Sequence, residues 1–173
     1  MSNHWTSNYW FLLHILGYTY RKKRAEKYIQ LIKLSKKILP CPKCRAHFVE
    51  YFAQNKLTVD TINREILIKW VIDYHNAVNI TNNAQTYSEE AVYNFYHNDN
   101  VLKRNNEKIV ELINQLNNHI REKGGNQSAY IKFLRLLKRI YPFSDIRKKL
   151  KKIPDKDLNT KIICKIISEN NNI

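Results

Sequence analysis

Cys41-Pro42-Lys43-Cys44 places two thiols three positions apart, close enough to form a small redox-active disulfide. The preceding Ile38-Leu39-Pro40 interrupts one helical pattern and delivers the pair to the start of the next. Pro42 suits the first helical position, because it lacks only an N–H that would have no helical partner there. The free amides and dipole of a helix start favour a thiolate, and Lys43 and Arg45 add positive charge, so lowered thiol pKa values are expected. Three chemistries compete for such a pair. Zinc would take Cys41, Cys44 and His47, but no second Cys-x-x-Cys and no closely spaced His pair follows to complete a closed site. A thioredoxin-type dithiol needs a βαβ setting, and nothing around the motif alternates like strands. Two buried, inert structural cysteines are the third reading. The pair alone does not choose among them.

Two further groups share helical faces. Trp10 and His14 are four positions apart in an apolar run, which is the spacing of a packed aromatic with a satisfied histidine and equally of two contacts to one ligand. His75, Asn76 and Asn79 form an unusually polar patch in the apolar stretch that contains Trp70, so they are either solvated or hold a polar ligand.

The elements that must carry these residues are helices. In 173 residues there are three Gly and four Pro, against abundant Leu, Ile, Lys and Glu, which predicts long helices with short connections and an all-α class. Apolar residues make up 43% of the chain, enough for one ordinary core. Periodicity predicts helices over 5–20, 24–37, 42–55 and 62–80, with Ser7 or Asn8 capping the first and the Thr58–Thr61 segment preceding the fourth. Beyond residue 100, helices are expected over 107–121, 128–140, 144–153 and 157–168.

Net charge is +15, and it is uneven: residues 1–99 hold 13 Lys and Arg against 8 Asp and Glu, while residues 100–173 hold 17 against 7. That excess suits a polyanion, an anionic surface or simply solvated helix faces. Three cysteines are too few and too unevenly spaced for a secreted disulfide framework, so a reducing compartment is expected. The apolar run 9–18 is followed rather than preceded by Arg21-Lys22-Lys23-Arg24 and is too short to span a bilayer. Cys164, beside Ile163, Ile166 and Ile167, reads as a buried inert thiol.

Taken together, Trp10-x-x-x-His14, then Pro40-Cys41-Pro42-Lys43-Cys44 with Phe48, then Trp70-x4-His75-Asn76-x-Val78-Asn79, resemble the Erv/Alr family of FAD-linked sulfhydryl oxidases over residues 5 to about 99. The resemblance implies a four-helix bundle plus a short fifth helix binding FAD, with residues 100–173 as a basic helical extension. It also implies residue roles: Cys41 and Cys44 as the catalytic dithiol, with Cys41 exchanging with substrate and Cys44 facing the flavin. Trp10 and His14 would contact the flavin, and Trp70, His75, Asn76 and Asn79 would line the adenosine and flavin. Tyr87 and Tyr96 stand where the family has aromatic residues, although Phe95 replaces its arginine. The loop 80–85 lacks the lysine that the family places near the pyrophosphate, so another basic residue must supply that charge, the partner subunit being one source. No shuttle Cys pair accompanies the core pair.

The function so implied is an FAD-dependent thiol oxidase that forms disulfides in protein dithiol substrates and passes the electrons to oxygen, giving hydrogen peroxide. A homodimer, no membrane span and a cytoplasmic place of work are expected, as in the compact versions carried by large DNA viruses, with the virion as a second location. No metal is expected. Weak polyanion binding by the extension stays open. The rival readings are a zinc-binding structural module and a basic nucleic-acid-binding adaptor.

Overall fold

The computed structural model describes residues 4–97 and 105–169, and every regular element among them is helical. α1 (His4–Tyr18) is apolar almost all round, and every residue from Phe11 to Gly17 is buried. Such a helix needs neighbours on all sides and becomes the axis of the molecule. It starts earlier than its expected caps: Asn8 is buried, and its amide donates to Gln115 Oε1 at 3.4 Å.

A 3₁₀ turn at Lys22–Arg24 leads into α2 (Ala25–Lys33), which buries Tyr28, Ile29, Leu31 and Ile32. The single helix expected over 24–37 is broken at Leu34, whose N–H bonds the Leu31 carbonyl. α3 (Ser35–Ile38) follows at once, its Ser35 hydroxyl held 2.6 Å from the Tyr9 hydroxyl of α1. Leu39 is extended (φ −63°, ψ 133°), the conformation that a following proline imposes. α4 (Pro42–Gln54) then begins, with Cys41 as its N-cap.

Asn63, not the threonines, caps α5 (Arg64–Thr81), its side chain accepting the Ile66 N–H at 2.8 Å. Thr58 and Thr61 bond each other instead, at 2.8 Å. α1 and α5 approach closely because Gly17 faces Ile68: a Cβ on Gly17 would stand 3.2 Å from Ile68 Cγ1. α6 (Glu89–Tyr96) is short, capped by Ser88, with Glu89 and Glu90 complementing the dipole of its first turn.

The basic C-terminal part forms α7 (Asn106–Lys123), α8 (Gln127–Ile140), α9 (Ser144–Lys151) and α10 (Thr160–Ser168). Gly124, at φ +66°, ends α7 in the left-handed conformation that glycine adopts without steric cost. These helices do not stand apart. α7 lies along α1, α8 along α2, and one hydrophobic cluster runs from Trp5 to Ile167. Among the described residues no helix is long and apolar enough to cross a membrane.

Candidate active site

A cavity of about 800 Å³ opens between α1, α5, α6 and the loop 82–88, within the size range of small-molecule and cofactor pockets. α1 supplies Trp10 and His14, which project one turn apart toward α5. Trp10 stacks on His75 with ring centroids 4.0 Å apart and planes within 9°. His14 Nε2 lies 3.3 Å from His75 Nδ1, so one imidazole donates to the other, and the His14 ring stacks on Tyr96 at 4.9 Å. Burial lowers the pKa of His14 to about 3, helped by His75, and that of His75 to about 4, so both rings are neutral at physiological pH.

The polar patch of α5 resolves into two roles. His75 enters the aromatic wall. Asn76 donates to the Tyr87 carbonyl at 2.9 Å and accepts the Tyr87 N–H at 3.0 Å, while Asn79 donates to the Gln85 carbonyl at 2.8 Å. The two asparagines thus strap the loop that carries Tyr87, and Asn79 and Tyr87 also line the cavity. Trp70 stands elsewhere, packed against Tyr51, Phe52 and Tyr74 with its indole N–H on the Asn55 carbonyl at 2.7 Å. It positions α4 against α5 and does not reach the cavity wall.

The dithiol is divided by the helix start. Cys41 Sγ accepts the Cys44 N–H at 3.1 Å, filling the N-cap role usually taken by an oxygen. Cys44, one turn on, lines the cavity; Cys41 does not. Both are free thiols in this structure. The lowered pKa expected for the pair is reversed at Cys44, whose thiol is pushed up to about 12. Burial is the largest cause and Cys41 adds to it; Lys43 opposes them but is the lesser influence. Arg45 engages the backbone: its guanidinium donates to the Leu39 carbonyl at 2.5 Å and the Pro40 carbonyl at 3.4 Å, clamping the break that presents the motif.

Two further polar residues stand on the wall, His47, which the sequence offered only as a zinc ligand, and Lys108, which it did not single out. His47 lies one turn beyond Cys44, and Lys108 reaches in from α7. Lys108 is the one Lys or Arg among the described residues on the wall, and its ammonium sits 5.3 Å from the Phe11 ring centroid. Cys164 stands apart from the cavity, half-buried, with its sulfur 3.6 Å from Asn114 Oδ1. Among the described residues no group of three or more His, Cys, Asp or Glu is placed to hold a metal ion.

A helical bundle that holds a Cys-x-x-Cys at a helix start, one sulfur exposed to a large aromatic cavity, is the frame of a cofactor-linked thiol–disulfide enzyme. The Erv1/Alr family model matches residues 7–99. An FAD-linked sulfhydryl oxidase of African swine fever virus is 34% identical over 97 residues, covering 54% of this chain and 80% of the relative. A probable FAD-linked sulfhydryl oxidase of Acanthamoeba polyphaga mimivirus is 36% identical over 67 residues, covering 37% of this chain and 47% of the relative. No solved structure gives a significant match. The chain therefore belongs to the Erv1/Alr family. It is a thiol oxidase with FAD as its cofactor.

Proposed function

We propose that the enzyme makes disulfides in protein substrates through Cys41 and Cys44, with FAD held in the 800 Å³ cavity and oxygen as the final acceptor, which becomes hydrogen peroxide. The observation that carries this reading is that Cys44, and not Cys41, lines the cavity. The wall also fits the cofactor. Trp10, His75 and Tyr96 offer flat faces for ring stacking, and Lys108 is a cation for a phosphate. His14 Nδ1 is buried with no hydrogen-bond partner, a polar atom that a ligand would satisfy.

Substrate thiolate attacks Cys41 Sγ of the oxidised pair, forming a mixed disulfide and releasing Cys44. The second substrate thiol then attacks the substrate sulfur of that bond, so the substrate leaves as a disulfide and Cys41 as a thiol. Two electrons and two protons have entered the protein. When bound, FAD supplies the chemistry that accepts the electron pair from the dithiol and hands it to oxygen. Cys44, on the cavity wall, is the sulfur placed to pass the electron pair on, whereas Cys41, its sulfur accepting the Cys44 N–H, stands outside the cavity as the one to exchange with substrate. His14 and His75, held neutral, present a hydrogen-bonded pair to the cavity without adding charge. Trp70 and Asn76 act as positioning residues, one for α4 and one for the loop at Tyr87. The place of work we infer is the cytoplasm, since three unevenly spaced cysteines do not make a secreted disulfide framework.

The test is a purified holoprotein with a flavin spectrum that consumes oxygen and releases one peroxide per disulfide formed from a dithiol. Cys44→Ser and Cys41→Ser should each abolish turnover while retaining FAD. A colourless protein, or turnover surviving in Cys44→Ser, would overturn the reading.

A further inference from the structure

The C-terminal helices repeat the architecture of the N-terminal ones. With a shift of 102 residues, Tyr28-Ile29, Leu34, Ile38, Pro40 and Arg45 recur as Tyr130-Ile131, Leu136, Ile140, Pro142 and Arg147. The helices obey the same shift. α2 opens at Ala25 and α3 closes at Ile38, while α8 opens at Gln127 and closes at Ile140; α4 opens at Pro42 and α9 at Ser144. The helix breaks match in detail. Cys41 precedes α4 at φ −90°, ψ 121°, and Phe143 precedes α9 at φ −85°, ψ 130°. Arg45 reaches back to the Leu39 and Pro40 carbonyls, and Arg147 reaches back to those of Tyr141 and Pro142.

A second block agrees after a shorter connection. Asn63 caps α5 by accepting the Ile66 N–H at 2.8 Å, and Asn159 caps α10 by accepting the Ile162 N–H at 3.0 Å. Buried Ile62, Leu67 and Val71 correspond to buried Leu158, Ile163 and Ile167. Packing follows the same plan, since α1 rests on α5 as α7 rests on α10, and α3 meets α4 as α8 meets α9. Ordinary helix packing does not reproduce one arginine clamping the same two carbonyls across a proline break.

The two copies meet through equivalent surfaces: α1 against α7 and α2 against α8. Along α1 and α7 the contacts run in opposite senses, Asn8 to Gln115 and Phe11 to Lys108. Like surfaces meeting in opposite senses are the pattern of a two-fold, isologous interface. We propose that residues 106–168 are a degenerate second copy of residues 4–72 that occupies, within one chain, the surface a lone copy would use to pair with itself. At the dithiol positions the second copy carries Phe143 and Ile146 in place of sulfur, so it has no redox centre of its own. It contributes Lys108 to the cavity of the first copy instead. In place of the homodimer implied by the resemblance, the working unit is one chain with one dithiol. This holds whether or not the cavity takes FAD, so the two readings fail separately.

Two measurements test it. Sedimentation and native mass spectrometry of the full-length holoprotein, from micromolar to submillimolar, should show a single chain of 20.8 kDa plus any cofactor at every concentration. A stable dimer would overturn the closure of that surface. For the equivalence of the copies, Phe143→Cys and Ile146→Cys are introduced together in a background of Cys41→Ser, Cys44→Ser and Cys164→Ser and equilibrated with oxidised glutathione. The new thiols should close on each other, read as the loss of two hydrogens in mass and of alkylation under native conditions. Two freely alkylated thiols in the folded protein would refute the equivalence, and if this variant does not fold the solution mass decides.

Discussion

His14 shows how one side chain can bear on stability and also line a cavity. Its Nε2 is hydrogen-bonded to His75, its Nδ1 is buried without a partner, and the two rings are walled by Trp10 and Tyr96. Both histidines have folded pKa values below the ordinary 6.5, about 3 and about 4, because burial penalises the imidazolium. Below pH 6.5 the unfolded chain therefore binds protons that the folded chain refuses. Stability is fully present above that pH and is lost progressively as pH falls toward 4. The thermal midpoint should drop over this window, and His75→Gln should flatten the drop. Cys164 offers a contrast at the same scale: burial pushes its thiol up to about 11 as it pushes up that of Cys44, and what separates the two is place, since Cys44 lines the cavity and Cys164 does not. The pairing of Trp10 with His14 was legible from a four-residue spacing. The reversal at Cys44 was not, because desolvation depends on neighbours that only folding brings, while the nearby lysine and arginine were visible in the sequence.

At the scale of elements, the cavity depends on α1 lying close to α5 and on a loop held by two asparagines. Gly17→Val would place a branched side chain where a single Cβ already meets Ile68 at 3.2 Å, and overpacking of this kind costs about 1–3 kcal/mol. The variant should unfold at lower denaturant concentration and lose FAD more readily, since forcing α1 from α5 separates His14 from His75. Asn76→Ala removes both bonds to the Tyr87 backbone, with an expected loss of about 1–2 kcal/mol. Amide exchange should quicken in the loop 82–88 while α1 is unchanged; an unaltered loop would show that the strap is not needed. The sequence marked Asn76 and Asn79 as polar intrusions in an apolar helix. It could not tell a solvated patch from one bonded to a loop, because the accepting carbonyls lie six to eleven residues away in irregular chain.

For the whole molecule, the basic C-terminal part completes the wall of the N-terminal cavity with Lys108. Lys108→Met should weaken FAD affinity by several-fold and reduce its dependence on salt, measured by flavin fluorescence, with near-normal turnover once the cofactor is saturating. Unchanged affinity would remove Lys108 from the phosphate's neighbourhood. By itself the sequence determined the all-α class, the order of the helices to within a few residues and the three spaced blocks around Trp10, Cys41 and His75, because helical periodicity, capping and proline breaks are local properties. It also determined the presence of a dithiol at a helix start. The tertiary structure alone decided that Trp70 packs behind α4, that Lys108 crosses from α7, and that α7 and α8 cover α1 and α2. Each of these is a contact between residues far apart in the chain, set by which apolar faces must be buried together, and no local spacing encodes it.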